Sequence, residues 1–197
     1  MATSAGSSSD HALAAVAFVA GALGARREVT LPNVDVARAA AQVITASEAA
    51  AIHVDNLRTR ADDFDPMIRD RLLAAALLPA AAYVRAQRFR AWFRARVAEV
   101  FAEVDVLLAP TTPWPAPPIG APWTIRIDGV EVPSRGHLGV FTQPLSFVGL
   151  PVVSVPIVTP GSLPVGVQLV GRPFDEATLL RIAARLEAEG IATSPVV

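Results

Sequence analysis

Lysine and cysteine are both absent from this sequence of 197 residues. All 17 basic residues are therefore arginine, and no mechanism that needs a catalytic lysine operates with these residues alone. Without cysteine the chain has no disulfide, no thiolate metal ligand and no cysteine nucleophile. The redox compartment stays open on this ground, and we predict a cytoplasmic protein because a reducing environment is compatible with the composition.

Strong charge of either sign is also absent. The 17 basic and 18 acidic residues give a net charge of −1, so the chain has no field that would gather nucleic acid or an anionic membrane. The apolar run at residues 12–23 is short and follows serines rather than basic residues, which favours a helix over a signal peptide or a membrane span. We therefore predict neither nucleic acid nor membrane as a partner.

The chain is 52% hydrophobic and long enough for one globular domain. Its prolines and glycines mark the expected ends of helices and strands. We expect residues 1–10 to be flexible, residues 10–104 to be mainly helical, and residues 105–190 to hold strands, a proline-rich loop and a final helix. In the helical part, Gly24 suits the end of a first helix, Pro66 suits the first turn of another, and Pro79 should kink or break it. A short strand is predicted at residues 27–31.

The helical pattern before the strands has an amphipathic character. Over residues 82–103 arginines alternate with apolar residues that should bury one face of a helix: Val84, Phe89, Trp92, Phe93, Val97 and Phe101. The tryptophans favour packing over ligand binding.

Apolar runs in the last third of the chain predict strands. Residues 105–110 have the form of a buried parallel strand, residues 124–132 alternate about Asp128 and Gly129 as in a hairpin, and residues 111–123 carry five prolines. Residues 152–158 and 165–170 predict two adjacent, central strands covered on both faces. A helix at residues 175–189 should pack on this sheet, with Leu179 and Leu180 among its apolar positions.

Three motifs occur in a fixed order: DVLLAPTTP at residues 105–113, GLPVVSVP at residues 149–156 and LPVGVQLVGRPFDEATLL at residues 163–180. Together they resemble the C-terminal half of the amidase signature family, and the likeness extends loosely over most of the chain. Residues 58–71 and the RFRAWF run at residues 88–93 resemble more narrowly the carboxybiuret hydrolase branch, beside the amidotransferase-A-like amidases.

The resemblance implies an α/β fold in which a mixed β-sheet is covered by α-helices, as part of the amidase-signature fold. It also implies a hydrolase that cleaves an amide or ureido C–N bond in a small molecule, without a cofactor. The family's triad is a lysine, a serine on a cis peptide and a nucleophilic serine within a glycine- and serine-rich signature. That signature is missing here, and the serines at residues 4–9 lack its glycine pattern. We therefore predict substrate-side contacts and no catalytic residue.

Arg71 is the leading candidate for substrate binding, because a guanidinium group binds a carboxylate through two parallel hydrogen bonds. Family members that act on glutamine use an arginine in the helix matching residues 66–76, and Arg71 aligns best with it, with Arg69 second. The alternative is an ordinary surface ion pair of Arg71 with Asp62, Asp65 or Asp70. The sequence leaves both possibilities open.

The same glutamine-using members carry an acidic residue, for the substrate amino group, just before the stretch that matches residues 141–144. The corresponding residues here are Leu138-Gly-Val-Phe141, none of them acidic. An arginine without an acidic partner suits a carboxylate that lacks an α-amino group, such as a carboxylated urea. Thr142 and Gln143 are expected to line the same cleft, as is Ser146, although each is equally compatible with an ordinary loop position.

Histidine chemistry has little support. His53 is poorly spaced to face Glu48 on one helix, and the three histidines lie in separate elements, so no metal site is predicted.

A second hypothesis makes the chain a non-catalytic module that pairs with a complementary N-terminal half, a small subunit or another copy of itself. A third is a truncated gene with no function of its own.

Overall fold

The computed structural model describes residues 8–25, 27–120, 124–127, 130–158 and 163–193. Its helices are α1 (Ser8–Leu23), α2 (Val34–Arg60), α3 (Pro66–Ala75), α4 (Ala80–Val100), α5 (Gln143–Ser146) and α6 (Glu176–Ala188), with 3-10 turns at Ala61–Asp63 and Ser134–Gly136. Its strands are β1 (Leu107–Pro110), β2 (Thr124–Ile127), β3 (Val130–Pro133), β4 (Val152–Ile157) and β5 (Val165–Val170). Among these helices, none combines the length and apolar character needed to cross a bilayer.

The chain divides into two compact units. The first contains Met1–Thr30 and Ala98–Val197, and the second contains Leu31–Val97. The first unit therefore holds the strands together with α1, α5 and α6, and the second holds α2, α3 and most of α4.

Asp65 caps the start of α3 in the second unit. The Asp65 carboxylate accepts a hydrogen bond from the backbone N–H of Met67 at 2.8 Å, and Pro66 occupies the first turn of α3. Pro66 fits there because its missing N–H has no intrahelical acceptor at that position. The predicted break at Pro79 is confirmed, since α3 and α4 are separate helices on either side of it.

The main sheet of the first unit has the strand order β1-β5-β4. Both neighbours of β5 run antiparallel to it, with Leu107 opposite Val170 in one pair and Ile157 opposite Val165 in the other. The prediction of a parallel strand at residues 105–110 is therefore wrong, because an apolar run indicates burial but not the direction of its partner. Residues 152–157 and 165–170 are adjacent as predicted, although only β5 is central in the described sheet.

One face of this sheet forms the core of the first unit. Val165, Val167 and Leu169 of β5 pack there with Leu179 and Leu186 of α6, and α1 also covers this face. The α/β class, with a sheet covered by helices, is confirmed. The prediction of cover on both faces is wrong for β4, because Ser154 on the opposite side is exposed.

A second, two-stranded sheet lies between the proline-rich loop and α5. β2 and β3 pair antiparallel with Thr124 opposite Pro133, which confirms the predicted hairpin. Its turn residues, Asp128 and Gly129, lie outside the described residues, as do residues 1–7 and 121–123. The described part of the proline-rich loop, residues 111–120, contains neither helix nor strand, as expected for a stretch of closely spaced prolines.

Residues 27–31 do not form the predicted strand. A strand needs a neighbour that takes up its backbone hydrogen bonds, and no described segment pairs with these residues. Arg27 instead forms an ion pair with Glu103 across the first unit. A run of five residues was too short a signal to identify a paired strand.

The apolar residues of α4 do not all share one face. Phe93 and Val97 are buried, whereas Val84 is 53% exposed and Trp92 is 42% exposed. Residues four apart lie on one side of a helix, and Val84 and Trp92 fall on another side. The predicted stripe is therefore wrong at these two positions, and a similar error applies to Leu180 in α6, which is 60% exposed.

Candidate functional site

Arg69 and Arg71 both lie on α3 of the second unit, after the Asp65 cap. The two side chains differ in their surroundings. Arg69 is 30% exposed in its side chain and is bound by two carboxylates, Asp62 at 3.3 Å and Asp70 at 3.2 Å. Arg71 is exposed, and it forms no ion pair with any residue that the structure describes.

The three carboxylates that were alternatives for Arg71 are engaged elsewhere. Asp62 and Asp70 contact Arg69, and Asp65 caps α3 through the N–H of Met67. The surface ion pair considered for Arg71 is therefore formed by Arg69 instead. The Arg71 guanidinium therefore pairs with none of these three carboxylates.

Thr142 and Gln143 lie at the start of α5 in the first unit and are half-buried. The Gln143 N–H donates to the carbonyl of Gly139 at 2.9 Å, and the Thr142 carbonyl accepts from the N–H of Ser146 at the same distance. The backbone of this short helix is therefore fixed by local bonds. The two candidate residues are consecutive in one unit, and the two arginines share one helix of the other.

Gln168 was not a candidate from the sequence, but its buried side chain contacts the backbone of the residue just before Thr142. It is 2% exposed on β5, and its side-chain amide donates to the carbonyl of Pro110 at 2.6 Å and to that of Phe141 at 3.3 Å. Phe141 immediately precedes Thr142. A polar residue inside the apolar run at residues 165–170 was the signal that could have drawn attention to it.

Next to Gln168 on the same face of the sheet, the hydroxyls of Thr111 and Ser154 lie 2.7 Å apart, and we call them the hydroxyl pair. The pair sits over Gly166, where an added Cβ would lie 2.6 Å from Thr111 Oγ1 and 2.7 Å from Ser154 Oγ. Glycine at this position therefore provides the space in which the two hydroxyls meet.

The described part of the second unit also contains a cavity of about 450 Å³ between α2, the end of α3 and the start of α4. Alanines form half of its lining residues, and Glu48 and Tyr83 are among the polar ones. The Tyr83 hydroxyl donates to Glu48 Oε1 at 3.0 Å and accepts from the Gln87 amide at 2.9 Å. Tyr83 thus links α2 to α4, and Arg71 does not line this cavity.

Neither a histidine site nor a metal site is found among the described residues. The His53 ring is packed edge-on against Phe64 with centroids 5.6 Å apart, and its buried Nδ1 has no hydrogen-bond partner among the described residues. Across the described ranges, no group of three or more histidine, cysteine, aspartate or glutamate side chains is placed to hold a metal ion.

The fold and the polar face of its sheet define an α/β protein whose candidate binding groups are two arginines and a few neutral polar residues. The model of the amidase family matches residues 9–180. Because this match covers most of the chain, the protein belongs to the amidase family.

Two individual proteins of the family are similar to this chain. AtzE of Pseudomonas sp. (strain ADP), a subunit of 1-carboxybiuret hydrolase, is 46% identical over 184 residues, which are 92% of this chain and 40% of that protein. A glutamyl-tRNA(Gln) amidotransferase subunit from Chloroflexus aurantiacus is 39% identical over 131 residues, 64% of this chain and 26% of that protein.

A solved structure is similar over nearly the whole chain. It belongs to an inhibitor-bound vestigial protein complex, described as revealing the evolutionary origins of an s-triazine catabolic enzyme. The TM-score is 0.88 at 43% identity, and the match covers 94% of this chain and 41% of that one. The chain thus spans about 40% of the length of the first curated relative that it matches.

Proposed function

We propose that this chain provides the substrate-side contacts of an amide hydrolase that cleaves a C–N bond in a small, carboxylated ureido compound. Membership of the amidase family supports the hydrolase, and the 46% identity to a 1-carboxybiuret hydrolase subunit supports the ureido substrate. The protein acts in the cytoplasm in this proposal.

The observation that carries the substrate assignment is the state of Arg71. Its guanidinium is exposed, while the neighbouring carboxylates of Asp62 and Asp70 are bound to Arg69 and that of Asp65 caps α3. An arginine surrounded by acids that are already engaged binds an external carboxylate without first breaking an internal ion pair. Arg69 is the weaker candidate, because it would have to release two partners.

The residues before Thr142 support a carboxylated urea over a glutamine donor. Leu138-Gly-Val-Phe141 contains no acid, so this segment offers no carboxylate for a substrate α-amino group. The neutral N–H and C=O groups of a ureido acid suit Thr142 and Gln143. The side chains of a threonine and a glutamine both donate and accept hydrogen bonds, as such a substrate requires.

Catalysis in this proposal depends on groups outside these 197 residues. A serine hydroxyl needs a neighbouring base before it attacks a carbonyl, and the family's base is a lysine, which this chain lacks. The nucleophile and the backbone N–H groups that hold the oxyanion would come from the rest of the protein or from a second chain.

The experiment uses an active assembly of this chain and the N-terminal portion of the carboxybiuret hydrolase subunit. In this assembly Arg71 is substituted. Arg71→Ala should raise KM for a carboxylated urea about 10- to 100-fold, because hydrogen bonds between charged groups are lost. Arg71→Lys should recover only part of this loss, since an ammonium does not offer two parallel donors. Arg88→Ala, at an exposed arginine on α4, is the matched control.

A second substrate, an uncharged amide of similar size, distinguishes loss of carboxylate binding from a general loss of activity. Its KM should be the same in the wild type and in Arg71→Ala. Equal losses for both substrates, or an unchanged KM for the carboxylated urea, would contradict the role given to Arg71.

The second candidate function is a non-catalytic module that pairs with a separate chain. The similar solved chain belongs to a protein complex, which supports this alternative. Size-exclusion chromatography and binding of a hydrophobic dye to the purified chain test it, because a cut sheet exposes an edge and an apolar face. A well-behaved monomer that binds no dye argues against a required partner.

A further inference from the structure

Gln168 lies on the central strand of the main sheet, between Val167 and Leu169 of the core. It is 2% exposed, and burial of an amide costs free energy unless its polar atoms are hydrogen-bonded. The neighbouring residues of the strand are apolar. A polar side chain in this place therefore needs a specific set of partners to be stable.

Both partners of the Gln168 amide are backbone carbonyls that belong to distant parts of the chain. Nε2 donates to Pro110, the last residue of β1, at 2.6 Å and to Phe141 at 3.3 Å. The orientation of the amide follows from these contacts, since the opposite orientation would place its oxygen against two carbonyl oxygens. One side chain thus joins the end of β1 to the segment that leads into α5.

The position of Gln168 on β5 is itself well fixed. It lies opposite Ala109 of β1 and opposite Ser154 of β4, so ladders on both sides hold the strand. Phe141 belongs to neither ladder. The bond to its carbonyl therefore joins the central strand of the sheet to the residue just before Thr142.

We propose that Gln168 is a positioning residue that fixes Thr142 and Gln143 relative to the end of β1 and the hydroxyl pair. It acts on the substrate through those two residues and does not touch the substrate itself. This inference rests on the proposed function, in which Thr142 and Gln143 contact the ureido group. Without the amide, the segment at residues 139–147 keeps its local backbone bonds and loses the bond from Gln168 to the Phe141 carbonyl.

The first test needs no catalysis and uses the 197-residue chain. Gln168→Met keeps the side-chain length and removes both donors, and hydrogen exchange is then compared for residues 139–147 and for β4 and β5. We expect exchange to rise about five- to tenfold at residues 139–147 and to stay unchanged in the two strands. Gln87→Met, which removes a hydrogen bond donated by a side-chain amide in the other unit, is the matched control.

Two results of this test overturn the proposal. One is unchanged exchange at residues 139–147, and the other is an equal increase there and in the strands, which indicates general loosening. If Gln168→Met does not fold, the side-chain NH₂ protons of Gln168 in the wild type decide the matter. Slow exchange of these protons with water supports the two bonds, and exchange at the rate of a free amide overturns them.

The second test uses the active assembly and separates positioning from stability. Gln168→Met should raise KM for the carboxylated urea by a larger factor than it lowers kcat, and the conservative variant Gln168→His, which keeps one donor, should recover part of the loss. An unchanged KM beside faster local exchange overturns the positioning role. If the wild-type assembly cleaves no C–N substrate, the proposed function fails, and hydrogen exchange alone decides the attachment.

Discussion

Leu179 provides a direct test of how the first unit is held together. Its side chain is 0% exposed in the core beneath the sheet, and a Cβ added to Gly171 would lie 3.1 Å from its Cδ2 atom. Leu179→Ala removes buried carbons from a place already closely filled, and such changes cost about 3 kcal/mol of unfolding free energy. Leu180, the next residue on α6, is 60% exposed, so Leu180→Ala should cost less than about 0.5 kcal/mol.

Urea and thermal unfolding of the 197-residue chain measure this difference. For a chain of this size each kcal/mol lowers the Tm by about 2–4 °C, so Leu179→Ala should unfold about 6–12 °C below the wild type. The Tm of Leu180→Ala should lie within about 2 °C of the wild type. Similar losses for both variants, or a larger loss for Leu180→Ala, would refute the packing of α6 described here.

Three further predictions concern single contacts. Gly166→Ala should lower the free energy of unfolding by about 1–3 kcal/mol, because its Cβ would press into the hydroxyl pair; an unchanged urea midpoint contradicts this. Asp65→Ala should cost about 1 kcal/mol and reduce helicity measured by circular dichroism, since the cap of α3 is lost. Tyr83→Phe should cost about 1 kcal/mol in the same urea assay through its bonds to Glu48 and Gln87, and a neutral effect would argue against them.

Helices were the part of the fold that the sequence predicted best, because their signals are local. Pro66, Pro79 and Gly24 each act within one turn, and α1, α3 and α4 end or begin where these residues require. The direction of β1 was not local information. Residues 105–110 pair with a strand about sixty residues later, and their own apolar pattern is the same for a parallel and an antiparallel partner.

In the candidate site, too, the sequence indicated residue types but not their long-range contacts. The choice of Arg71 came from the chemistry of a guanidinium group and from family resemblance, and it stays a prediction. The sequence could not assign the neighbouring carboxylates between Arg69 and Arg71, because both arginines are within reach of them along the chain. Gln168 was missed since its acceptors, Pro110 and Phe141, are 58 and 27 residues away.

The division of binding and catalysis between two portions is tested by measuring turnover of the purified chain, alone and in the presence of the N-terminal portion of the carboxybiuret hydrolase subunit. We expect no hydrolysis of ureido acids or simple amides by the 197 residues alone, because they contain no lysine to activate a serine. We expect hydrolysis of a carboxylated urea when both portions are present. Robust turnover by the chain alone that survives rigorous purification would show that these residues do more than contact the substrate.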